Sequence, residues 1–187
     1  MFIKIVGGDV WVIQWAKSRS RSNEFDVPIP NFAKVTDKLF RGALPDFDGY
    51  RALAEKLDVY RVCSMIEHES QDDRKLALSA GIKEWRYIPF SDRDAPEPKS
   101  VKEWLDYVRS AKKKGAIFTH CRGGRHRTGT LVAVFRVVDC GWTKERAFEE
   151  MLRYGWYGAL GHEPLLEWFF DEFDPKDYSV DSETRLS

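Results

Sequence analysis

The sequence predicts an α/β fold with a mostly parallel central sheet that is flanked by helices on both faces. Short apolar segments alternate along the chain with longer segments of helical periodicity. The apolar segment 116–119 leads directly into a glycine-containing turn, which is followed by a second apolar run at 131–135. Strands that alternate with helices need crossover connections, and these favour parallel strands covered on both faces. The 187 residues, 43% of them hydrophobic, are sufficient for one core.

The individual elements are predicted from residue type and from capping residues. Strands are expected at 59–66, 82–88 and 116–119, and helices at 46–56, 70–81, 100–113, 144–154 and 164–173. Ser70 with Asp73, and Ser100 with Glu103, have the spacing of capping boxes at two helix starts. Gly81 is typical of the residue that ends a helix. This order of elements places a functional site outside the carboxyl ends of the strands.

The domain organisation predicted from the sequence has three parts. Residues 1–33 form an N-terminal extension with a hairpin of strands at 2–6 and 10–15 and a polar linker. Residues 34–173 are expected to form the main domain. The polar tail at 174–187 is expected to be disordered.

The charge balance narrows the classes of partner. Lysine plus arginine (30) equals aspartate plus glutamate (30), so no overall field favours nucleic acid or an anionic membrane surface. The N-terminus lacks the apolar run of a signal peptide or a membrane span. We therefore expect no nucleic-acid partner and no stable membrane association.

The cysteines and histidines indicate the redox compartment and whether a metal site is expected. The three cysteines, Cys63, Cys121 and Cys140, are an odd number without metal-ligand spacing, which suits a reducing compartment and predicts a cytoplasmic protein. Cys63 and Cys140 are expected to pack in the core. His68 and His162 have no second ligand at a useful spacing, so no metal and no other cofactor is expected.

Residues 119–130 carry the strongest functional signal. They read Thr-His-Cys-Arg-Gly-Gly-Arg-His-Arg-Thr-Gly-Thr, and Cys121 and Arg127 bracket five residues at a strand-to-helix turn. Free N–H groups and the positive end of the dipole make a helix start a site for anions. These groups, together with Arg127, favour the thiolate of Cys121. The planar guanidinium can bind two phosphate oxygens at once. The turn is therefore predicted to bind and attack a phosphate.

Other residues of this turn receive supporting roles. The predicted phosphate-binding residues are Arg122, Gly123, Gly124, Arg125, His126 and Arg127. His120 is expected to support the loop through hydrogen bonds to backbone. Thr128 is a candidate helix cap. Trp156 and Tyr157, in a glycine-rich segment, are candidates for the border of the pocket.

The pattern His-Cys, five residues, Arg-Thr resembles the cysteine-dependent protein tyrosine phosphatase superfamily, especially its compact dual-specificity branch. Residues 91–96 are similar to the mobile acid loop of these enzymes, in which Asp92 matches the general acid and Pro96 the closing proline. Many relatives carry glycine at the position of Asp94, which makes Asp94 the alternative acid. Residues 39–45 are similar to an early turn of atypical bacterial and plant-and-fungal members. The resemblance covers roughly residues 34–173 and implies the phosphatase fold.

The resemblance implies a mechanism and a range of substrates. Cys121 attacks phosphorus to form a phosphocysteine, Asp92 protonates the leaving oxygen and later activates water, and the Thr128 hydroxyl assists release of the thiolate. The expected substrates are phosphotyrosine, phosphoserine or phosphothreonine in proteins, or inositol phosphates and phosphoinositides. The alternatives are a non-catalytic phosphate-binding module and a rhodanese-like sulfurtransferase.

Overall fold

The strands that the structure describes form one mixed sheet and one separate hairpin. The computed structural model describes residues 3–6, 9–12, 25–68, 71–111, 115–157 and 161–179. Within these ranges the strands are β1 (Ile3–Val6), β2 (Asp9–Val12), β3 (Ala33–Thr36), β4 (Leu39–Ala43), β5 (Val59–Ser64), β6 (Glu84–Tyr87) and β7 (Ala116–Cys121). The strands β1 and β2 pair antiparallel, within the segment for which the sequence predicts the N-terminal hairpin.

The helices begin at residues whose chemistry explains the start. They are α1 (Phe47–Leu57), α2 (Gln71–Ser79), α3 (Pro98–Arg109), α4 (His126–Val138), α5 (Lys144–Arg153) and α6 (Glu163–Glu167). Asp46 caps α1, because its carboxylate accepts a hydrogen bond of 2.8 Å from Gly49 N. Thr143 caps α5 in the same way. Pro98 stands at the start of α3, where its missing N–H is not needed.

The order of strands in the main sheet is β3-β4-β7-β5-β6. Strand β3 is antiparallel to β4, and the other neighbours are parallel to each other. The predicted mostly parallel sheet is therefore confirmed. The central strand β7 is entirely buried, as expected for a strand with a neighbour on each side and helices on both faces.

Two apolar clusters cover the two faces of the sheet. One contains Tyr50 and Leu53 of α1, Ala77 of α2 and Phe118 of β7. The other brings together residues of α3, α4, α5 and α6 with Ile117 of β7. Alternate residues of β7 thus point into opposite cores, which is the period-2 pattern of a strand. The predicted cover of helices on both faces is confirmed.

Several predicted details of the helices are wrong. The α3 helix begins two residues before Ser100, so Ser100 and Glu103 are inside the helix and form no capping box. Glu103 instead forms an ion pair with Arg86 of β6. Ser70, the predicted cap of α2, lies outside the described residues. The helix predicted at 164–173 is α6 followed by a π-helical turn, Trp168–Glu172.

The packed core extends beyond both predicted domain limits. Val27, Ile29 and Phe32, assigned to the N-terminal extension, are buried, and Phe32 stacks on Phe40. At the other end, a 3₁₀-helix forms at Pro175–Tyr178 where disorder was predicted. Its last residue is buried, and its carbonyl accepts a hydrogen bond of 2.8 Å from Arg109. Apolar side chains at both ends explain the difference, since each buries area against the core. Residues 180–187 lie outside the described part of the tail.

The helices are also relevant to membrane association. Of the helices in the described ranges, none has the length and apolar character needed to span a bilayer.

Candidate active site

Strand β7 delivers Cys121 to the carboxyl end of the sheet. Cys121 is the last residue of β7 and pairs in register with Ala43, the last residue of β4. Its side chain is buried, with 3% exposure. The thiol thus lies at the carboxyl ends of the parallel strands, where the site was expected.

The phosphate loop, residues 122–127, is held to the scaffold through its carbonyl groups. Three successive carbonyls accept hydrogen bonds, from Leu44 N to Arg122 O (3.2 Å), from Asn31 Nδ2 to Gly123 O (2.8 Å) and from Arg41 Nη2 to Gly124 O (2.6 Å). In a trans peptide the C=O group and the following N–H group point in opposite directions. Carbonyls that are held outward therefore turn the following N–H groups toward the interior of the loop, as a site for an anion requires.

Gly124 is required by the close approach of two backbone segments. Its φ of +64° lies in the left-handed region, and a Cβ atom there would lie 2.4 Å from the carbonyl carbon of Gly42. Gly123 is different, because the nearest atoms to a Cβ atom there belong to the Arg125 side chain at 3.9 Å. Both glycines belong to the predicted phosphate-binding turn. The structure shows that the requirement is strict at Gly124.

Arg127 joins the phosphate loop to the acid loop, residues 88–97. Its Nη1 donates to the carbonyl of Phe90 at 3.3 Å, and its Nη2 lies 3.4 Å from Oδ2 of Asp92. The Arg127 side chain is only 7% exposed. The guanidinium therefore faces the site and not the solvent.

The two candidate acids differ in their surroundings. The Asp92 side chain is 32% exposed and contacts Arg127, whereas Asp94 is an exposed residue. Proximity to the phosphate loop therefore favours Asp92.

His126 differs from its predicted role as a basic phosphate ligand. It is the first residue of α4, and its ring is buried against His162, with 3.6 Å between the ring centroids and 18° between the planes. Burial lowers the pKa of His126 to about 4, with the neighbouring His162 acting in the same direction. The imidazole is therefore neutral at pH 7. The positive charge of the loop comes from Arg122, Arg125 and Arg127.

The predicted pocket border at Trp156 and Tyr157 lies next to this ring. The edge of Tyr157 meets His126 at 4.6 Å between centroids, and Trp156 meets it at 5.8 Å.

His120 supports the end of β7 by packing. Its ring is fully buried and stacks on Phe118 at 5.7 Å, with Trp85 at 5.8 Å. Burial lowers the pKa of His120 to about 3, against an opposing contribution from the Cys121 backbone. Within the described ranges, its ring nitrogens make no hydrogen bond of regular geometry. Contact between rings therefore supports the end of β7, and the predicted support through hydrogen bonds to backbone stays a prediction.

Thr128 is the third residue of α4 and is fully buried. The capping position of α4 belongs to Arg125, so the cap predicted for Thr128 is wrong. Its hydroxyl has no partner among the residues that the structure describes. The role in release of the thiolate stays a prediction.

Three further residues shape the site without having been predicted to do so: Arg41, Asn31 and His162. Arg41 is 1% exposed, and its guanidinium lies 4.4 Å from the ring centroid of Tyr154. Each of the three reaches a residue 70 or more positions away in the chain. Only Arg41 had a local signal, because it lies in the segment 39–45 that resembles the early turn.

The expectation that His162 has no ligand-type neighbour is wrong. Asp92, His126 and His162 each offer one ligand atom, and these atoms lie within 4.8 Å of one another. The two rings are stacked, however, and the lone pair of an imidazole nitrogen lies in the plane of its ring. Two nearly parallel planes do not converge on one ion, so the observed arrangement is that of a packed pair.

Of the other two cysteines, Cys63 is buried as expected and Cys140 is exposed, which corrects its predicted core position.

Comparison with known proteins agrees with this geometry. A family model described as "Polymorphic toxin system, DSP-PTPase phosphatase" (Tc-R-P) matches residues 36–141. The chain belongs to the dual-specificity type of protein tyrosine phosphatase. This phosphatase is 33% identical over 178 residues to the dual specificity protein phosphatase TpbA of Pseudomonas aeruginosa, covering 94% of this chain and 72% of TpbA. It is 28% identical over 128 residues to the inositol diphosphatase DSP5 of Arabidopsis thaliana, covering 66% and 61% of the two chains.

Solved structures have the same fold. The crystal structure of P. aeruginosa TpbA has a TM-score of 0.67 at 27% identity, covering 79% of this chain and 87% of TpbA. The catalytic domain of SIW14 from S. cerevisiae has a TM-score of 0.66 at 23% identity, covering 86% and 93%, and this likeness concerns the fold alone. The relatives support a cysteine-dependent phosphatase, and the binding module and the sulfurtransferase are not favoured.

Proposed function

We propose that this phosphatase hydrolyses phosphate monoesters in two steps through a phosphocysteine on Cys121. The contact of Arg127 with the acid loop is the observation that supports this proposal most directly. One guanidinium lies in the same turn as Cys121 and touches both the Phe90 carbonyl and the Asp92 carboxylate. Nucleophile, phosphate-binding group and acid therefore converge at one end of the sheet.

In the first step the Cys121 thiolate attacks phosphorus. An S–P bond forms as the bond between phosphorus and the leaving oxygen breaks, and Asp92 donates its proton to that oxygen. The loop N–H groups and Arg127 hold the equatorial phosphoryl oxygens. A bound phosphate takes the place of the Asp92 carboxylate on Arg127, which frees the carboxyl group for the leaving oxygen.

In the second step water attacks the phosphocysteine. Asp92, now ionised, accepts a proton from this water as the new O–P bond forms and the S–P bond breaks. The products are inorganic phosphate and the Cys121 thiolate. The buried Thr128 hydroxyl, without a partner in the described ranges, is suited to donate a hydrogen bond to the departing sulfur.

Replacing the nucleophile tests the covalent route. We expect Cys121→Ser to reduce turnover of an aryl phosphate to the background rate while binding of phosphate analogues such as vanadate persists. The exposed Cys140 gives a matched control, because Cys140→Ser removes a thiol distant from the loop and should retain turnover. Acid quench of the wild type with a ³²P-labelled substrate should trap label on Cys121. Substantial turnover by Cys121→Ser would contradict the phosphocysteine.

We further propose phosphoproteins as substrates, with inositol phosphates as the second candidate class. TpbA is named a dual specificity protein phosphatase and DSP5 an inositol diphosphatase. The exposed side chains of Arg122 and Arg125 are consistent with additional phosphates near the loop. Ratios of kcat/KM for phosphotyrosine peptides, phosphothreonine peptides and inositol phosphates distinguish the two classes.

The free cysteines support the proposal of a cytoplasmic protein, which localisation in cells would test.

A further inference from the structure

The acid loop has a second attachment, through His162. Nδ1 of His162 lies 2.7 Å from the backbone carbonyl oxygen of Asp92. A carbonyl oxygen can only accept a hydrogen bond, so Nδ1 must carry the proton and donate it. The contact joins residues 70 positions apart, and His162 is only 8% exposed. The hydrogen bond is therefore partly shielded from water.

The position of the His162 ring is itself fixed by packing. One face stacks on His126, with 3.6 Å between centroids, and the edge of Tyr157 lies at 5.8 Å. His126 is the first residue of α4 and belongs to the phosphate loop. Its pKa of about 4 keeps it neutral at pH 7, so no charge on that ring opposes the stacking. The acid loop is thus connected to the phosphate loop through two aromatic rings.

The two attachments respond differently to substrate. Arg127 holds the Asp92 carboxylate, but a bound phosphate must displace that carboxylate. His162 holds the backbone of the same residue, and this bond can persist when phosphate is present. A general acid must stay within hydrogen-bond reach of the leaving oxygen. The backbone bond is suited to maintain that position during the reaction.

We infer that His162 is a positioning residue for the general acid, holding the Asp92 backbone through Nδ1–H while its ring packs on His126. The inference rests on the acid role proposed above for Asp92. Loss of the hydrogen bond should leave the phosphate loop intact and displace the acid.

Dependence of the rate on the leaving group separates this role from general structural support. When a positioned acid protonates the leaving oxygen, the rate depends little on how basic that oxygen is. Without such an acid, only leaving groups of low basicity depart quickly. We therefore compare kcat/KM for phenyl phosphate, a poor leaving group, with that for 2,4-dinitrophenyl phosphate, a good one. Asp92→Asn serves as the reference for a missing acid.

Two substitutions of similar shape test the hydrogen bond. In His162→Asn the side-chain amide occupies nearly the position of Nδ1, whereas in His162→Gln it occupies that of Nε2. We expect His162→Gln to lower kcat/KM for phenyl phosphate by about 10-fold to 100-fold, with little change for 2,4-dinitrophenyl phosphate. His162→Asn should recover most of the loss. Thermal melts and vanadate binding confirm that each variant is folded.

The outcomes separate the inference from the function on which it rests. Equal losses with both substrates, or equal behaviour of the Asn and Gln variants, would overturn the positioning role. If Asp92→Asn itself shows no dependence on the leaving group, the acid role of Asp92 is what fails. If the Gln variant does not fold, the Asn variant decides. The inference is supported if kcat/KM in His162→Asn depends on the leaving group as weakly as in the wild type, and it is overturned if that dependence is as steep as in Asp92→Asn.

Discussion

The phosphate loop and the acid loop meet at the same site but are attached to the protein in different ways. Three consecutive carbonyls of the phosphate loop accept hydrogen bonds from the scaffold, and Gly124 contacts the backbone of β4. The acid loop exposes residues 93–95 to solvent. Among the described residues, the hydrogen bonds that hold it at the site come from the side chains of Arg127 and His162, while Ile88 at its start donates a backbone hydrogen bond to Ser64 O.

This difference matches what each loop must do in the proposed mechanism. Stabilisation of charge in the transition state depends on donors that are in place before substrate arrives. The phosphate loop meets this condition because the fold itself orients its N–H groups. The acid must admit a substrate and then approach the leaving oxygen, so side-chain contacts are sufficient there.

The largest expected effect comes from breaking the phosphate loop at Gly124. A Cβ atom there would lie 2.4 Å from backbone atoms of Gly42, so Gly124→Ala must displace the loop and its N–H groups. We expect kcat/KM to fall on the order of 10³-fold for good and poor leaving groups alike. Steady-state kinetics with both aryl phosphates measures this.

Gly141 provides the control for backbone strain. Its φ of +68° is similar to that of Gly124, but a Cβ atom there meets nothing within 4 Å. Gly141→Ala should cost about 1 kcal/mol of stability and leave activity unchanged. Equal loss of activity in both variants would show that close packing at Gly124 is not the cause.

A smaller and more selective effect is expected in the acid loop. Asp92→Asn removes the proposed proton donor beside Arg127 but keeps the size of the side chain. We expect kcat/KM for phenyl phosphate to fall by about 10²-fold or more, with a much smaller loss for 2,4-dinitrophenyl phosphate. Asp94→Asn, at the exposed neighbouring position, should behave like the wild type. A selective loss in the Asp94 variant instead would reassign the acid.

The smallest effect concerns how the stability of the phosphate-loop side depends on pH. The pKa values of His120 and His126 are lowered from 6.5 to about 3 and about 4, mainly by burial. Above pH 6.5 both side chains are neutral in the folded and unfolded states. Below it the unfolded chain binds protons that the folded chain does not, so stability falls by up to about 1.4 kcal/mol per pH unit for each histidine.

Urea unfolding between pH 7 and pH 4 measures this dependence. Replacing His126 by asparagine should make the pH dependence of the unfolding free energy shallower between pH 6.5 and 4. An unchanged slope would mean that His126 is not buried as a neutral ring on the phosphate-loop side. The carboxylates also contribute to the pH dependence of the unfolding free energy. Their contribution is the same in the variant and the wild type, so it cancels when the two are compared.

Local patterns were sufficient to predict much of this protein. The apolar segment ending at Cys121, the glycine turn and the helix after it are contiguous, so their order predicted both the strand-to-helix site and its chemistry. The failures are also local. Ser100 and Glu103 have the spacing of a capping box, but Pro98 is better suited to start the helix. The predicted domain limits excluded Phe32 and Tyr178, but both apolar side chains pack into the core.

The sequence by itself determined the α/β order, the residues of the phosphate loop and the phosphatase family, because each depends on residues that are neighbours in the chain. Only the tertiary structure decided which aspartate meets Arg127, that His126 is a neutral packing residue, and that Arg41, Asn31 and His162 hold the two loops. These contacts join residues from 35 to 92 positions apart. Their charge and geometry depend on burial and on the crossing of strands and helices, which no local pattern contains.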